Sequence, residues 1–296
     1  MPKRTICIQS SVKLSARESA LLIIQDDRKV RIPFEDIWVV ILETHQAQIT
    51  TAALSQLVDG GIGVMLCGDN HMPNGLLLPI GAHSRHAYIV ENQLAMTKPL
   101  QKRLWQRIVQ AKIKNQATVL ELCGIDSRPV ARYVSAVKSG DTDNREGAAA
   151  SAYFQRLLFE GNRRAGPYTA PLDYGYSVLR AGIARAAVSG GWLVSRGIHH
   201  HSELNAFNLV DDLIEPFRPL IDLIVVKRQL LGDLDHRKKL EIASVFEMLV
   251  SMDGKLMTSQ TAIELMFGSL KIAVDNADCS ALLLPTVTEL QAFSDE

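Results

Sequence analysis

Apolar residues along this chain change rhythm near residue 88. Before that point they come in short runs, RTICIQ, ALLIIQ and WVVILE, separated by polar punctuation such as QDDRK and PFED. Short branched runs bounded in this way predict β-strands. TTAALSQLVDGG reads as one short helix, opened by a threonine cap and closed by Gly60 and Gly61. GIGVMLCG reads as a buried strand, and NGLLLPI as a closing strand after an Asn-Gly turn.

Beyond residue 88 the apolar positions recur at helical spacing. The pattern predicts helices over 100–122, 128–139, 144–160, 172–189, 206–230, 236–251 and 259–276. Gly124, Gly140, Gly161, Gly190, Gly191, Gly232 and Gly254 fall at or just past their ends, where a left-handed cap belongs. No internal repeat or low-complexity tract interrupts the series. The expected fold class is α+β. A small amino-terminal β-rich, β-sandwich-like domain covers 1–88, a linker around Met96 to Pro99 covers 89–99, and an all-α domain covers 100–296.

Composition narrows the function classes. The 32 basic and 32 acidic side chains cancel, so no overall field draws the protein to nucleic acid or to an anionic membrane, and any basic surface must be local. Cys7, Cys67, Cys123 and Cys279 are far apart and form no CxxC pair. That argues against a zinc ribbon or a disulfide framework and fits a reducing cytoplasm. MPKRTICIQS lacks the apolar run of a signal peptide, and the longest apolar stretches are too short to span a bilayer. A cytoplasmic protein with no membrane association is expected.

Candidate chemistry concentrates in GIHHHSELNAFNLVDDLIEPFRP, residues 197–219. Leu209, Val210, Leu213, Ile214 and Phe217 make an apolar helical face. Asp212 and Glu215, three apart, project from nearly one side of the same predicted helix. His200 lies upstream in a loop that could return it to them. One imidazole with carboxylates is a hard donor set suited to Mg²⁺ or Mn²⁺ rather than zinc. An ordinary amphipathic helix behind a polar loop accounts for the same residues.

Two further features stay open on the residues alone. In GDTDNREGAAASAYF, Glu146 is either the third residue of a capping box on Asp143, or a functional carboxylate beside Ala149 and Ala150, whose small side chains let another helix or a nucleic-acid backbone come close. Residues 92–120 hold no acid. There Arg103, Arg107 and Lys114 form a cationic stripe roughly opposite Trp105, Ile108 and Val109, and Arg163 and Arg164 add a basic loop in GNRRAGP. The stripe and loop are either solvated or bind phosphates.

Taken in order, REGAAASAYF, LDYGYSVLRAGIARA and GIHHHSELNAFNLVDDLIEPFRPLID resemble the CRISPR-associated adaptation endonuclease, the integrase of spacer acquisition, along the whole chain. The detailed text is most similar to the type II branch. The resemblance implies a metal site of Glu146, His200 (the histidine of a Gly-x-x-His pattern starting at Gly197) and Glu215, with Asp212 as supporting carboxylate and His199 and His201 outside it. One departure is Asp173 in LDYGY, where the family commonly has asparagine.

By the same resemblance, a 3′-hydroxyl of a prespacer duplex attacks a phosphodiester at the edge of a CRISPR repeat, with Mg²⁺ or Mn²⁺ neutralising the phosphoryl oxygens. The implied partners are double-stranded DNA, a second copy in a homodimer built on the β-rich domain, the small ferredoxin-like second CRISPR-associated protein, and the type II effector nuclease. Two alternatives use the same residues: a metal-dependent nuclease of branched DNA in repair, and a non-enzymatic helical DNA-binding scaffold whose acids are caps and surface groups.

Overall fold

The structure, a computed structural model, describes residues 3–69, 72–79, 83–158 and 163–292. Its first part runs β1 (Arg4–Ile8), β2 (Lys13–Arg17), β3 (Ala20–Gln25), β4 (Arg28–Pro33), β5 (Ile37–Leu42), β6 (Gln48–Ile49), α1 (Thr51–Asp59), β7 (Gly63–Cys67) and β8 (Pro73–Leu77). The strands form two four-stranded sheets, ordered β1-β5-β7-β8 and β4-β3-β2-β6. β1, β5 and β7 run parallel and β8 antiparallel; β4, β3 and β2 are antiparallel, with β6 parallel to β2. A small core of Ile8, Leu14, Leu21, Val40, Leu57 and Val64 joins the sheets to α1. The α1 cap is as expected: Thr50 Oγ1 accepts the Ala53 N–H at 3.2 Å.

The run IWVVIL is continuous rather than alternating because β5 is buried on both faces. Ile37, Val40 and Leu42 enter the small core, while Trp38, Val39 and Ile41 enter a second, larger one formed with the helices. The expected Asn-Gly turn is not one. Asn74 and Gly75 lie inside β8, where Gly75 pairs with Leu66 and a Cβ on it would come within 3.2 Å of the leucine Cδ1.

The second part runs α2 (His86–Leu94), α3 (Lys98–Leu122), α4 (Arg128–Ala136), α5 (Arg145–Leu157), α6 (Thr169–Ser189), α7 (Asn208–Leu213), α8 (Arg218–Lys227), α9 (His236–Ala243), β9 (Met248–Met252), β10 (Lys255–Thr258), α10 (Ser259–Asp275) and β11 (Thr286–Ala292). It is not wholly helical, as the sequence led us to expect. β10, β9 and β11 form a three-stranded antiparallel sheet. Of the supposed helix 236–251 only α9 is α-helical, its end being strand β9, which Asp253 and Gly254, both at positive φ, turn into β10. The supposed helix 206–230 breaks into α7 and α8. Pro216 disfavours helical backbone at Glu215 before it, and Pro219 sits in the first turn of α8, where its missing N–H costs nothing.

The stretch 89–99 is no free tether. Ile89 and Met96 are buried in the larger core, and the Gln93 amide bonds the Leu193 and Arg196 carbonyls at 3.0 and 2.7 Å. The two parts meet around Trp38. Its indole donates to Glu264 at 2.8 Å and packs on Phe246, and Arg185 on α6 bonds the same glutamate at 2.6 Å. Gly182 makes room for them, because a Cβ there would collide with the Phe246 ring and approach Trp38 to 2.7 Å. Among the described residues, no helix is long and apolar enough to cross a membrane.

Candidate active site

The three histidines do different things because the loop carrying them is wrapped around one carboxylate. Asp212 on α7 is fully buried. Its oxygens accept the backbone N–H groups of Ile198 (2.6 Å), His199 (2.9 Å) and His200 (3.2 Å), and the His200 Nδ1–H at 2.6 Å. Gly197 is required where the loop comes closest: a Cβ there would strike the His200 carbonyl oxygen and sit 2.8 Å from Asp212 Oδ2. With Nδ1 committed to Asp212, Nε2 of His200 carries the free lone pair of the neutral ring. His199 instead lies flat on Trp105, ring centroids 4.2 Å apart, and His201 is exposed.

Glu146 is not the arm of a capping box. The cap of α5 is Asn144, in the left-handed conformation, whose side chain accepts the Gly147 N–H at 3.1 Å. Asp141 accepts the N–H groups of Arg145 and Glu146 at 2.8 and 3.0 Å, and Asp143 pairs with Lys138 instead. Relieved of capping, the Glu146 carboxylate reaches Lys112 Nζ at 2.6 Å. Ala149 is buried and lets α5 pack against α3.

Glu215 meets the same ammonium. It stands in the turn between α7 and α8, paired with Lys112 through Oε2 and with Arg218 at 3.1 Å through Oε1. Asn115, on α3 beside Lys112, donates to the Pro216 carbonyl at 2.7 Å and so anchors the turn. Burial opposes the charge on Lys112, but Glu215 and Glu146 outweigh it and hold its pKa above the ordinary lysine value. Burial likewise opposes the Glu215 charge, and Lys112 and Arg218 outweigh it to hold its pKa low.

Among the described residues, no group of three or more His, Cys, Asp or Glu side chains stands ready-made around one point. Two of the three expected ligands, Glu146 and Glu215, converge on one position, which the Lys112 ammonium fills, while His200 lines the adjoining cavity. The donor set still fits a hard cation. Glu215 Oε2 is buried without a well-aligned hydrogen bond, and the two carboxylates already aim at a positive charge.

The adjoining cavity, about 510 Å³, is lined by Arg163, Tyr176, Arg180, His200, Glu215 and Arg218 among others. Arg163 and Arg218 stack on Tyr176, each 4.9 Å from the ring centroid. Arg180 is held by both oxygens of Asp211, at 2.6 and 2.8 Å, and by Asn205 at 3.0 Å. Asp173, the departure in LDYGY, pairs with Arg163 at 2.8 Å, so its extra charge is neutralised within the wall. A larger hollow of about 650 Å³ is lined by Glu18, Arg31, Glu35 and Asp59 and has no histidine in its wall.

Lys112, Arg180 and Arg218 did not enter the expected site. Lys112 carries a signal in the sequence: it lies seven residues after Trp105, on the buried face of α3 rather than on the cationic stripe. The stripe itself is turned roughly 140–180° away from Lys112 at 100° per residue. Arg103 and Lys114 are exposed there, whereas Arg107 donates to the Leu282 carbonyl at 3.1 Å. Of the basic loop, Arg163 reaches the cavity, Arg164 is exposed, and Gly161 and Asn162 lie outside the described residues.

The profile of the family described as CRISPR associated protein Cas1 matches residues 6–244. A CRISPR-associated endonuclease Cas1 from Neisseria meningitidis serogroup C is 37% identical, with all of both chains covered. Among solved structures, a casposase bound to integration product superposes with a TM-score of 0.75 over 94% of this chain and 91% of that one, at 19% identity. A Cas6-RT-Cas1–Cas2 complex superposes with a TM-score of 0.71 over 98% of this chain and 36% of that one, at 19% identity. At such identities these two establish the likeness of fold alone.

Proposed function

The chain belongs to the CRISPR associated protein Cas1 family, and from that premise we propose that it is a divalent-metal-dependent DNA endonuclease and integrase that inserts prespacer DNA into CRISPR arrays. The observation that carries the reading is the convergence of Glu146 and Glu215 on a single cation position beside His200. A bound Mg²⁺ or Mn²⁺ held by Glu146, His200 and Glu215 supplies charge neutralisation at the phosphoryl oxygens and a lower pKa for the attacking hydroxyl.

The chain's own groups do the rest. Asp212 orients His200 so that Nε2 presents its lone pair. Arg163, Arg180 and Arg218, each braced by a carboxylate or a ring, form a preorganised anion wall for the phosphodiester. In the transfer, the 3′-oxygen of the prespacer forms a bond to the phosphorus at the repeat's edge as the bond from that phosphorus to the 3′-oxygen of the flanking nucleotide breaks. The proton of the attacking hydroxyl passes to the leaving oxygen through solvent, and the number of phosphodiesters is conserved.

The domain roles belong to the same proposal: residues 1–88 as a homodimerisation domain, 89–99 as the junction and 100–296 as the catalytic part. Double-stranded DNA as substrate is supported by the likeness to the casposase bound to integration product, and a Cas2-type partner by the likeness to the Cas6-RT-Cas1–Cas2 complex. The type II placement rests on the sequence and on the Neisseria relative, while the effector nuclease as a further partner and a cytoplasmic location rest on the sequence alone.

The test offers a duplex with free 3′-hydroxyls and a repeat-containing plasmid, with Mg²⁺, Mn²⁺ or a chelator. Joined product in either metal, lost with chelator and in Glu146→Ala or Glu215→Ala, is expected. Full function in the double alanine variant would return the acids to surface roles, and cleavage of branched DNA with no joining would favour a repair nuclease.

A further inference from the structure

We propose that Lys112 is an internal competitor for the cation position: its ammonium holds Glu146 and Glu215 together in the metal-free protein and has to leave for a divalent ion to load, a step that rests on the metal-dependent reading above. The side chain is only 10% exposed and both ends of its grip are carboxylates expected to ligate. Glu146 and Glu215 contribute two negative charges, and Lys112 and Arg218 two positive ones, so the cluster is balanced as it stands.

A dication added without moving Lys112 would set four positive charges against two negative ones in a spot largely removed from water, where repulsion is poorly screened. Arg218 is fixed between Glu215 and the Tyr176 ring. Lys112 is the mobile member, a point charge on a flexible stem. A phosphodiester entering the cavity beside Arg218 brings the missing negative charge. Metal loading is therefore weak without DNA and strengthened by it, and by linkage the metal strengthens DNA binding equally.

The experiment uses the full chain and its Lys112→Met variant, with Mn²⁺ as probe followed by the spin-resonance signal of the free ion, with and without a 3′-hydroxyl duplex. Without DNA, Lys112→Met should bind Mn²⁺ at least about tenfold more tightly than the unsubstituted chain. The duplex should tighten Mn²⁺ binding more in the unsubstituted chain than in the variant. In chelator the variant should melt at lower temperature, with the loss restored by Mn²⁺. Lys112→Gln should behave likewise, and Lys255→Met, an exposed lysine on β10, should not.

Equal Mn²⁺ affinity in the unsubstituted chain and Lys112→Met, both measurable, would overturn the competition and leave the metal-dependent reading standing. A Lys112 variant that stays unfolded in excess Mn²⁺ would also overturn it, since the ion would have failed to replace the ammonium. No Mn²⁺ bound by any form, even with duplex, would remove both readings together.

Discussion

The His200 imidazole donates through Nδ1 to Oδ1 of the fully buried Asp212, 2.6 Å away, and Asp212 also accepts three backbone N–H groups of the same loop. This hydrogen bond first, then the neighbouring carboxylates, raises the His200 pKa above the ordinary 6.5 against the opposing effect of burial. A protonated ring cannot ligate. Metal-dependent strand transfer should therefore be full at alkaline pH and fall as pH drops through a value above 6.5. The stability contribution runs the other way: protonated His200 beside Asp212 stabilises the fold below 6.5, and that contribution fades as pH rises through the raised pKa. Low-pH inactivation with an undiminished melting temperature is the expected signature. In Asp212→Asn the midpoint should move down; initial rates that stay level from about pH 5 to about pH 8 in the unsubstituted chain would refute the ligand role.

Glu146 and Asn144 divide between them the roles a capping box would have merged. Glu146→Ala leaves the helix start intact, because Asp141 and Asn144 keep accepting its N–H groups. Strand transfer should vanish, and any loss of stability should come from the buried Lys112 ammonium, left with Glu215 alone, rather than from the helix start. Asn144→Ala should cost about 1–2 kcal/mol through the lost cap, and keep strand transfer. Thermal melting beside an integration assay reads both, and the reverse pattern would restore the capping role to Glu146.

These assignments mark how far the sequence reached. Strands β1, β3, β5 and β7 and helices α1, α3, α6 and α10 were legible because long periodic or short branched runs carry most of the signal. The sheet of β9, β10 and β11 was missed although Asp253-Gly254 is a hairpin signal, because MLVSM beside a helical stretch is compatible with either period. Pro216 and Pro219 inside 206–230 were visible breakers that the apolar face of α7 masked. Glu146, His200 and Glu215 were singled out from motif text. Lys112 was left out of the expected site, since no short motif announces a buried lysine whose partners are 34 and 103 residues away.

Asp222 gives the fold its own pH dependence. It is buried on α8 and accepts the Tyr153 hydroxyl at 2.9 Å and the Tyr176 hydroxyl, tying α5, α6 and α8 together. Burial outweighs these donors and pushes its pKa up to about 6. With an unfolded value near about 3.9, its contribution is fully present below about pH 4 and lost as pH rises through about 6. The loss amounts to about 3 kcal/mol, taking roughly 1.4 kcal/mol per unit. Asp222→Asn, which keeps the shape, should abolish that loss. Urea unfolding at several pH values should show the variant gaining on the unsubstituted chain between about pH 4 and about pH 7. A constant difference would mean that the carboxyl does not titrate in this window.

The cationic stripe of α3 separates into two kinds of residue. Arg107 bonds the Leu282 carbonyl at 3.1 Å, so Arg107→Ala should lower stability by about 1–2 kcal/mol before it alters DNA affinity. Arg103 and Lys114 are exposed. If they follow a phosphate backbone, replacing each by alanine should reduce the slope of log affinity against log salt by about 0.9 and leave stability within about 0.5 kcal/mol. Because the stripe faces away from Lys112, DNA held there is not the strand at the reacting phosphate but duplex running on from it. The double variant should therefore lose affinity for long duplexes while short ones, filling only the cavity beside Arg163 and Arg218, bind as before. An unchanged slope would leave the stripe solvated and concentrate DNA binding on the arginines around Tyr176.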